Sequence, residues 1–127
     1  MKPLPSRKIT VQIKQNSYEI EFPNTGKLID IELMKMSMTG NKYGALADSG
    51  TTSGDYARFT IDMIANLTVL TPDLKKDLKV NSISELDILD SKYLLKIYLK
   101  QILPWLNEWQ TLLNSDDEEQ NDAKENV

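Results

Sequence analysis

Ile9, Val11 and Ile13 alternate with Thr10, Gln12 and Lys14, and further on Tyr18, Ile20 and Phe22 alternate with Glu19 and Glu21. A period of two marks a half-buried strand, and "QNS" at 15–17 supplies a turn, so this region predicts a two-stranded hairpin with one apolar face. Pro23 ends the second strand because it has no N–H to give to the ladder. A lone hairpin is marginal in water, so helices are expected to cover its apolar face.

The period then lengthens. In "KLIDIELMKMSM", Leu28, Ile31, Met34 and Met38 fit a helix, with Thr25 as N-cap and Gly40 as the stop. Ile29, Ile31 and Leu33 alternating with Asp30 and Glu32 offer a competing third strand; the Leu, Met, Lys and Glu content favours the helix. Tyr56, Phe59, Met63, Leu67 and Leu70 form the stripe of a helix capped by Asp55. Thr71-Pro72 restarts a short helix with Leu74 and Leu78 inward. Ser82 with Glu85 suggests a capping box, and Ser84 is a rival cap.

The last stripe is the clearest. Leu95, Tyr98, Ile102, Trp105, Trp109 and Leu112 recur every three or four residues within a helix spanning about 84–113. Pro104 lies inside it, removes one backbone hydrogen bond and crowds the carbonyl of Lys100, which predicts a kink or restart near Leu103. The expected fold is α+β, mainly α: an N-terminal β-hairpin packed against a small bundle of about four helices. Residues 1–8 form an extended lead-in, 9–114 a single globular domain, and 115–127 an acidic disordered tail.

Composition narrows the chemistry. The 127 residues include no cysteine and no histidine, so thiolate nucleophiles, the commonest general base and most transition-metal ligand sets are missing. Chemistry on Asp and Glu alone would require converging carboxylates. Asp30 and Glu32 sit two apart and do not share a helix face, while Asp87 and Asp90 read as acids favoured by a helix start. No enzyme activity, no cofactor and no metal site is expected. The tail carries a net charge of −5, which leaves residues 1–114 at +1, without the dense basic face that nucleic acid requires. No apolar run approaches the ~18–20 residues of a membrane span, and the start lacks the apolar core of a secretory signal.

Four of the five glycines fall in "MTGNKYGALADSGTTSGDY", residues 38–56. Neither phosphate-binding spacing, G-x-x-x-x-G-K-[ST] nor G-x-G-x-x-G, occurs there. Gly40 is explained as a helix stop, and the remainder reads as a pliable linker that lets the flanking helices swing. Contact surfaces are the better candidates. Met34, Met36 and Met38 read by default as core fillers, but spaced by two they cannot all face inward on one helix, so at least one is expected at the surface, where a soft binding patch is the alternative reading. Trp105 and Trp109 share a face four residues apart and read first as core; the other reading joins them with Tyr98 as aromatic contact residues of the type enriched at interface hot spots, on a kinked helix suited to clamp a partner helix.

The phrases "YEIEFPNTGKLIDIE", "TGNKYGAL", "LTPDLKKDL" and "YLKQILPWLNEW", in that order over about residues 9–113, resemble the tail-assembly chaperone type of protein from tailed bacteriophages. The likeness is one of layout. It implies a non-enzymatic tail-assembly chaperone or small virion structural protein. Its partners would be tape-measure or tail-tube proteins, with homo-oligomers in view. Its place would be the cytoplasm of the infected bacterial cell or the virion. The alternative is a small regulatory or inhibitory binding protein whose acidic tail engages a basic partner.

Overall fold

The computed structural model describes residues 4–125, with side-chain surroundings as far as Ser115. β1 (Lys8–Ile13) and β2 (Asn16–Glu21) pair antiparallel, with Ile9 opposite Ile20 and Val11 opposite Tyr18. Val11, Ile13 and Ile20 are buried and their alternating neighbours are exposed, as the period of two requires. The turn is Lys14–Gln15 and not 15–17; Lys14 takes a left-handed φ of 56°. A loop at 15–17 would pair Ile20 with Gln12 and break the apolar face, so the face fixes the shorter loop.

α1 (Thr25–Thr39) follows, and the strand alternative for this segment is excluded. Its cap is Asn24, whose side chain accepts the Lys27 N–H at 2.9 Å, one residue before the expected Thr25. Gly40 closes it at φ 58°, with the Asn41 N–H reaching the Met36 carbonyl at 2.8 Å and the Gly40 N–H the Ser37 carbonyl. That is the paired-bond ending for which a glycine is preferred.

The expected linker contains a further helix, α2 (Tyr43–Ala47). α3 (Thr52–Leu70) begins earlier than expected because Thr51, not Asp55, caps it by accepting the Gly54 N–H. α3 is the central element, with α1, α2, α4 and α5 all packed on it, and Met63, Ile64, Ala65, Leu67 and Leu70 are buried. Beyond Pro72, α4 (Leu74–Asp77) turns Leu74 inward, and the Tyr18 hydroxyl donates to Asp77, tying the hairpin to it. Ser82 starts only a single tight turn, Ile83–Glu85, and α5 (Ile88–Ile97) is capped by Asp87, so the long helix expected from 84 starts later.

Pro104 has the expected effect in a specific form. Tyr98–Ile102 is a widened turn in which the Leu103 N–H reaches back five residues to the Tyr98 carbonyl, and α6 (Leu103–Glu125) restarts beyond it. The widened turn accommodates the proline ring and the missing donor without ending the helical path. Leu95, Tyr98, Ile102, Trp105 and Trp109 are all buried, and Leu112 packs against them. The α6 backbone continues as helix to Glu125, in place of the irregular tail expected from 115. Extending a formed helix is far easier than starting one, and Glu, Gln, Ala and Lys there favour it. The side chains of 116–127, and with them the tail's charges, lie outside the described residues. The architecture is α+β and mainly α, a hairpin against a helical bundle.

Two glycines of the 38–56 stretch should respond oppositely to alanine. Gly40→Ala places a Cβ in the left-handed region and is expected to cost about 1 kcal/mol, although nothing crowds it. Gly44→Ala, inside α2 and equally uncrowded, is expected to add about 0.5–1 kcal/mol. Urea unfolding midpoints of the two variants check the signs.

Candidate interaction site

α1 has two apolar faces where an ordinary surface helix has one. Ile31 is buried, and Met34 and the stem of Lys35 are half-buried on the side facing α3. On the opposite side Ile29, Leu33 and Met36 are 54%, 56% and 45% exposed. At about 100° per residue these three lie within roughly 60° of one another, with Leu33 nearly opposite Ile31. Asp30 and Glu32 stand on either flank of this outer stripe.

A polar cluster fixes α1 in place from its inner side. Lys35 Nζ lies 3.1 Å from Glu32 Oε1 and 3.5 Å from Asp62 Oδ1, and 5.4 Å from the centroid of the Tyr43 ring. The Tyr43 hydroxyl donates to the same Asp62 oxygen at 2.6 Å. Deeper in, the Asn66 side-chain amide donates to the Asp62 carbonyl at 2.8 Å and to the Tyr98 hydroxyl at 3.3 Å. Burial first, and the hydrogen bond to Asp62 second, push Tyr43 up from 10.0 to about 12. Burial, followed by the nearby negative charge of Asp62, also raises Tyr98. The Lys35–Asp62–Tyr43 group joins α1, α2 and α3. The stretch expected to be a pliable linker is therefore anchored at Tyr43, because its hydroxyl and ring meet the only acid–base pair buried between α1 and α3 among the described residues.

Beside this cluster a groove of about 200 Å³ opens between α1 and α6. Asn66 and Tyr98 form its floor, and Leu28, Ile31, Leu103 and Leu106 its apolar walls. Its charged groups, Asp62, Lys35 and Glu32, are engaged with one another.

The structure divides the six residues expected to make partner contacts. Met36 and Met38 are exposed and Met34 packs on the core, in keeping with a spacing of two on one helix. Tyr98, Trp105 and Trp109 are only 1%, 6% and 6% exposed, which bears out the core reading and corrects the reading of them as a clamp for another protein. What the two tryptophans hold is the chain's own N-terminal segment. Both indole N–H groups donate to one acceptor, the Ser6 carbonyl, at 2.7 Å from Trp105 and 3.0 Å from Trp109. Phe22 meets Trp105 edge-on, with centroids 5.9 Å apart, and lies tilted over Trp109 at 5.1 Å. The Arg7 guanidinium lies 5.4 Å from the Trp109 ring centroid. Ile29 and Leu33 are exposed apolar residues that the sequence reading did not single out. The signal was the alternation of Ile29, Ile31 and Leu33, which on a strand means one apolar face but on a helix means two.

Among the described residues, no group of three or more acidic side chains is placed to hold a metal ion, and no helix is long and apolar enough to cross a membrane. Comparison of the chain with known protein families, curated proteins and solved structures finds no match.

The Tyr43 proton is held more tightly in the folded chain than in the unfolded one. Its contribution to stability is complete below about pH 10, the ordinary phenol value, and is lost as pH rises towards about 12. Tyr43→Phe removes this proton and is expected to flatten the fall in the urea midpoint over that range. Trp109→Ala empties a core position and exposes the Ser6 carbonyl, and is expected to cost about 3–5 kcal/mol in the same assay.

Proposed function

We propose that the protein is non-enzymatic and works by protein–protein contact, as a tail-assembly chaperone or small structural component of a tailed bacteriophage. The outer face of α1 carries this reading. Ile29, Leu33 and Met36 form a contiguous apolar stripe on a helix whose other side already supplies the core. Such a stripe leaves about half of its apolar surface in water in the single chain, and exposed apolar patches of this kind mark interaction surfaces. The Lys35–Asp62–Tyr43 anchor holds the helix so that the stripe is presented without prior ordering, which lowers the entropic cost of docking. The phage context rests on the resemblance in layout over residues 9–113. It makes the tape-measure and tail-tube proteins the partners, met in the infected cell or in the particle.

Co-expression with the tape-measure and tail-tube proteins of the same phage tests this directly. The tagged wild-type chain is expected to retain one of them. Leu33→Asp is expected to lose it while its stability stays within about 0.5 kcal/mol of wild type, as for other exposed positions. Failure of the wild type to retain either protein, or equal retention by Leu33→Asp, contradicts the proposal.

A further inference from the structure

The groove between α1 and α6 is not balanced in charge. Lys35 serves two carboxylates, with Nζ 3.1 Å from Glu32 Oε1 and 3.5 Å from Asp62 Oδ1, so one cation stands against two anions and the lining carries a formal charge of −1. Arg58 does not correct this. Its guanidinium lies 4.3 Å from the centroid of the Phe59 ring, does not line the groove, and pairs with no carboxylate among the described residues.

Acceptor oxygens are also left over. Asp62 Oδ1 takes both Lys35 and the Tyr43 hydroxyl, while its Oδ2 takes no donor among the described residues. Asn66 is 7% exposed, and its amide nitrogen is spent on the Asp62 carbonyl and the Tyr98 hydroxyl. Its carboxamide oxygen receives no donor, yet it is not one of the sealed unpaired polar atoms, which among the described residues are the Tyr56 hydroxyl, Arg58 Nε and the Thr68 hydroxyl. It therefore opens onto the groove that Asn66 lines. A nearly buried oxygen without a donor costs free energy, which a ligand that brings a donor recovers.

The walls set the rest of the occupant. A cavity of about 150 Å³ holds benzene, so the groove, at about 200 Å³, admits one long side chain and not a helix. Leu28, Leu103 and Leu106 suit an apolar stem, and the spare oxygens suit a cationic head. An ammonium holds its donors at one point, whereas a guanidinium spreads them in a planar fork. The fork suits acceptors set apart, with Asp62 and Asn66 one turn apart on α3 and Glu32 on α1. The groove also adjoins the outer stripe. Counting about 100° per residue from Ile31, Leu28 lies about 60° round α1, Glu32 about 100°, Met36 about 140° and Ile29 about 160°. Leu28, a groove wall, is itself 41% exposed. We propose that the groove takes an arginine side chain of the partner protein that covers the α1 stripe. The stem lies against Leu28, Leu103 and Leu106, and the guanidinium donates to Asp62 Oδ2 and the Asn66 carboxamide oxygen, with Glu32 beside it. This rests on the reading of the α1 stripe as a contact surface and names the chemistry that the partner must carry.

An NMR titration of the isotope-labelled full chain tests the proposal, with Nα-acetyl-arginine amide as the probe and the matching lysine and citrulline amides as controls. The arginine amide is expected to shift the backbone signals of Glu32, Lys35, Asp62 and Asn66 saturably. It should bind about tenfold more tightly than the lysine amide, which lacks the fork. The citrulline amide, of the same shape but neutral, should leave these signals in place. Asp62→Asn is expected to weaken binding about tenfold, and Glu32→Gln, at an exposed position that the fold does not need, about threefold. Circular dichroism confirms that each variant is folded. No saturable shift, shifts that lie outside the groove, equal binding of the citrulline amide, or a folded Glu32→Gln that binds as wild type overturns it. Free arginine that binds far more tightly than the blocked form assigns the groove to a small molecule and also overturns it. A chain that retains a tail protein through Leu33 but ignores the arginine amide overturns only this inference. A chain that binds the arginine amide as stated yet retains no tail protein overturns only the phage reading.

Discussion

One carbonyl, that of Ser6, accepts both indole N–H groups of the protein, and the N-terminal lead-in meets α6 there. Trp105 and Trp109 must therefore stand one helical turn apart on the same side of α6, with the hairpin's lead-in laid across them. Phe22, at the exit of β2, fills the corner between the two rings. Each bond adds only about 1 kcal/mol net, but an indole N–H left unpaired in this interior would cost more than that. The hairpin, which has no standing of its own in water, gains the cover that it requires.

The widened turn at Tyr98–Ile102 serves the same constraint from the other side. Tyr98 reaches down to Asn66, and Trp105 reaches across to Ser6, so the helical path must deliver both while passing Pro104. A regular helix would leave the Lys100 carbonyl crowded by the proline ring. The Leu103 N–H bonding back to Tyr98 relaxes that conflict and keeps Ile102, Trp105 and Trp109 on the core side. With the large core aromatics committed inward, α1 is left with apolar side chains to spare on its outer face. Lys35, Asp62 and Tyr43 hold it by its inner face, and Ile29, Leu33 and Met36 are directed to solvent.

The hairpin and the C-terminal stripe were legible because each has a clean period, and the core chosen from them is the core observed. Boundaries were less legible. Asn24 and Thr51 cap where Thr25 and Asp55 were expected, since several neighbouring residues are competent caps and only the tertiary path selects one. α2 was hidden because Gly44 lies inside it and Gly40 and Gly50 stand on either side. What covers each apolar face was not legible, because periodicity shows which residues share a face but not what lies against it. For Tyr98, Trp105 and Trp109 the cover is Ser6, Arg7, Phe22 and Asn66, most of them distant in sequence. For Ile29 and Leu33 the deciding fact is that they stay more than half exposed among the described residues, which a local pattern does not reveal.

The account stands on an inside–outside assignment: the tryptophans hold the fold, and α1 presents an apolar face outward. Oxidative footprinting of the dilute native protein, read residue by residue by mass spectrometry, tests it most directly. The account predicts rapid modification of Met36 and Met38 and protection of Met63, Trp105 and Trp109 until the protein is unfolded. Tryptophans modified as fast as Met36 in the native state, or a protected Met36 in a chain shown to be monomeric, would contradict it.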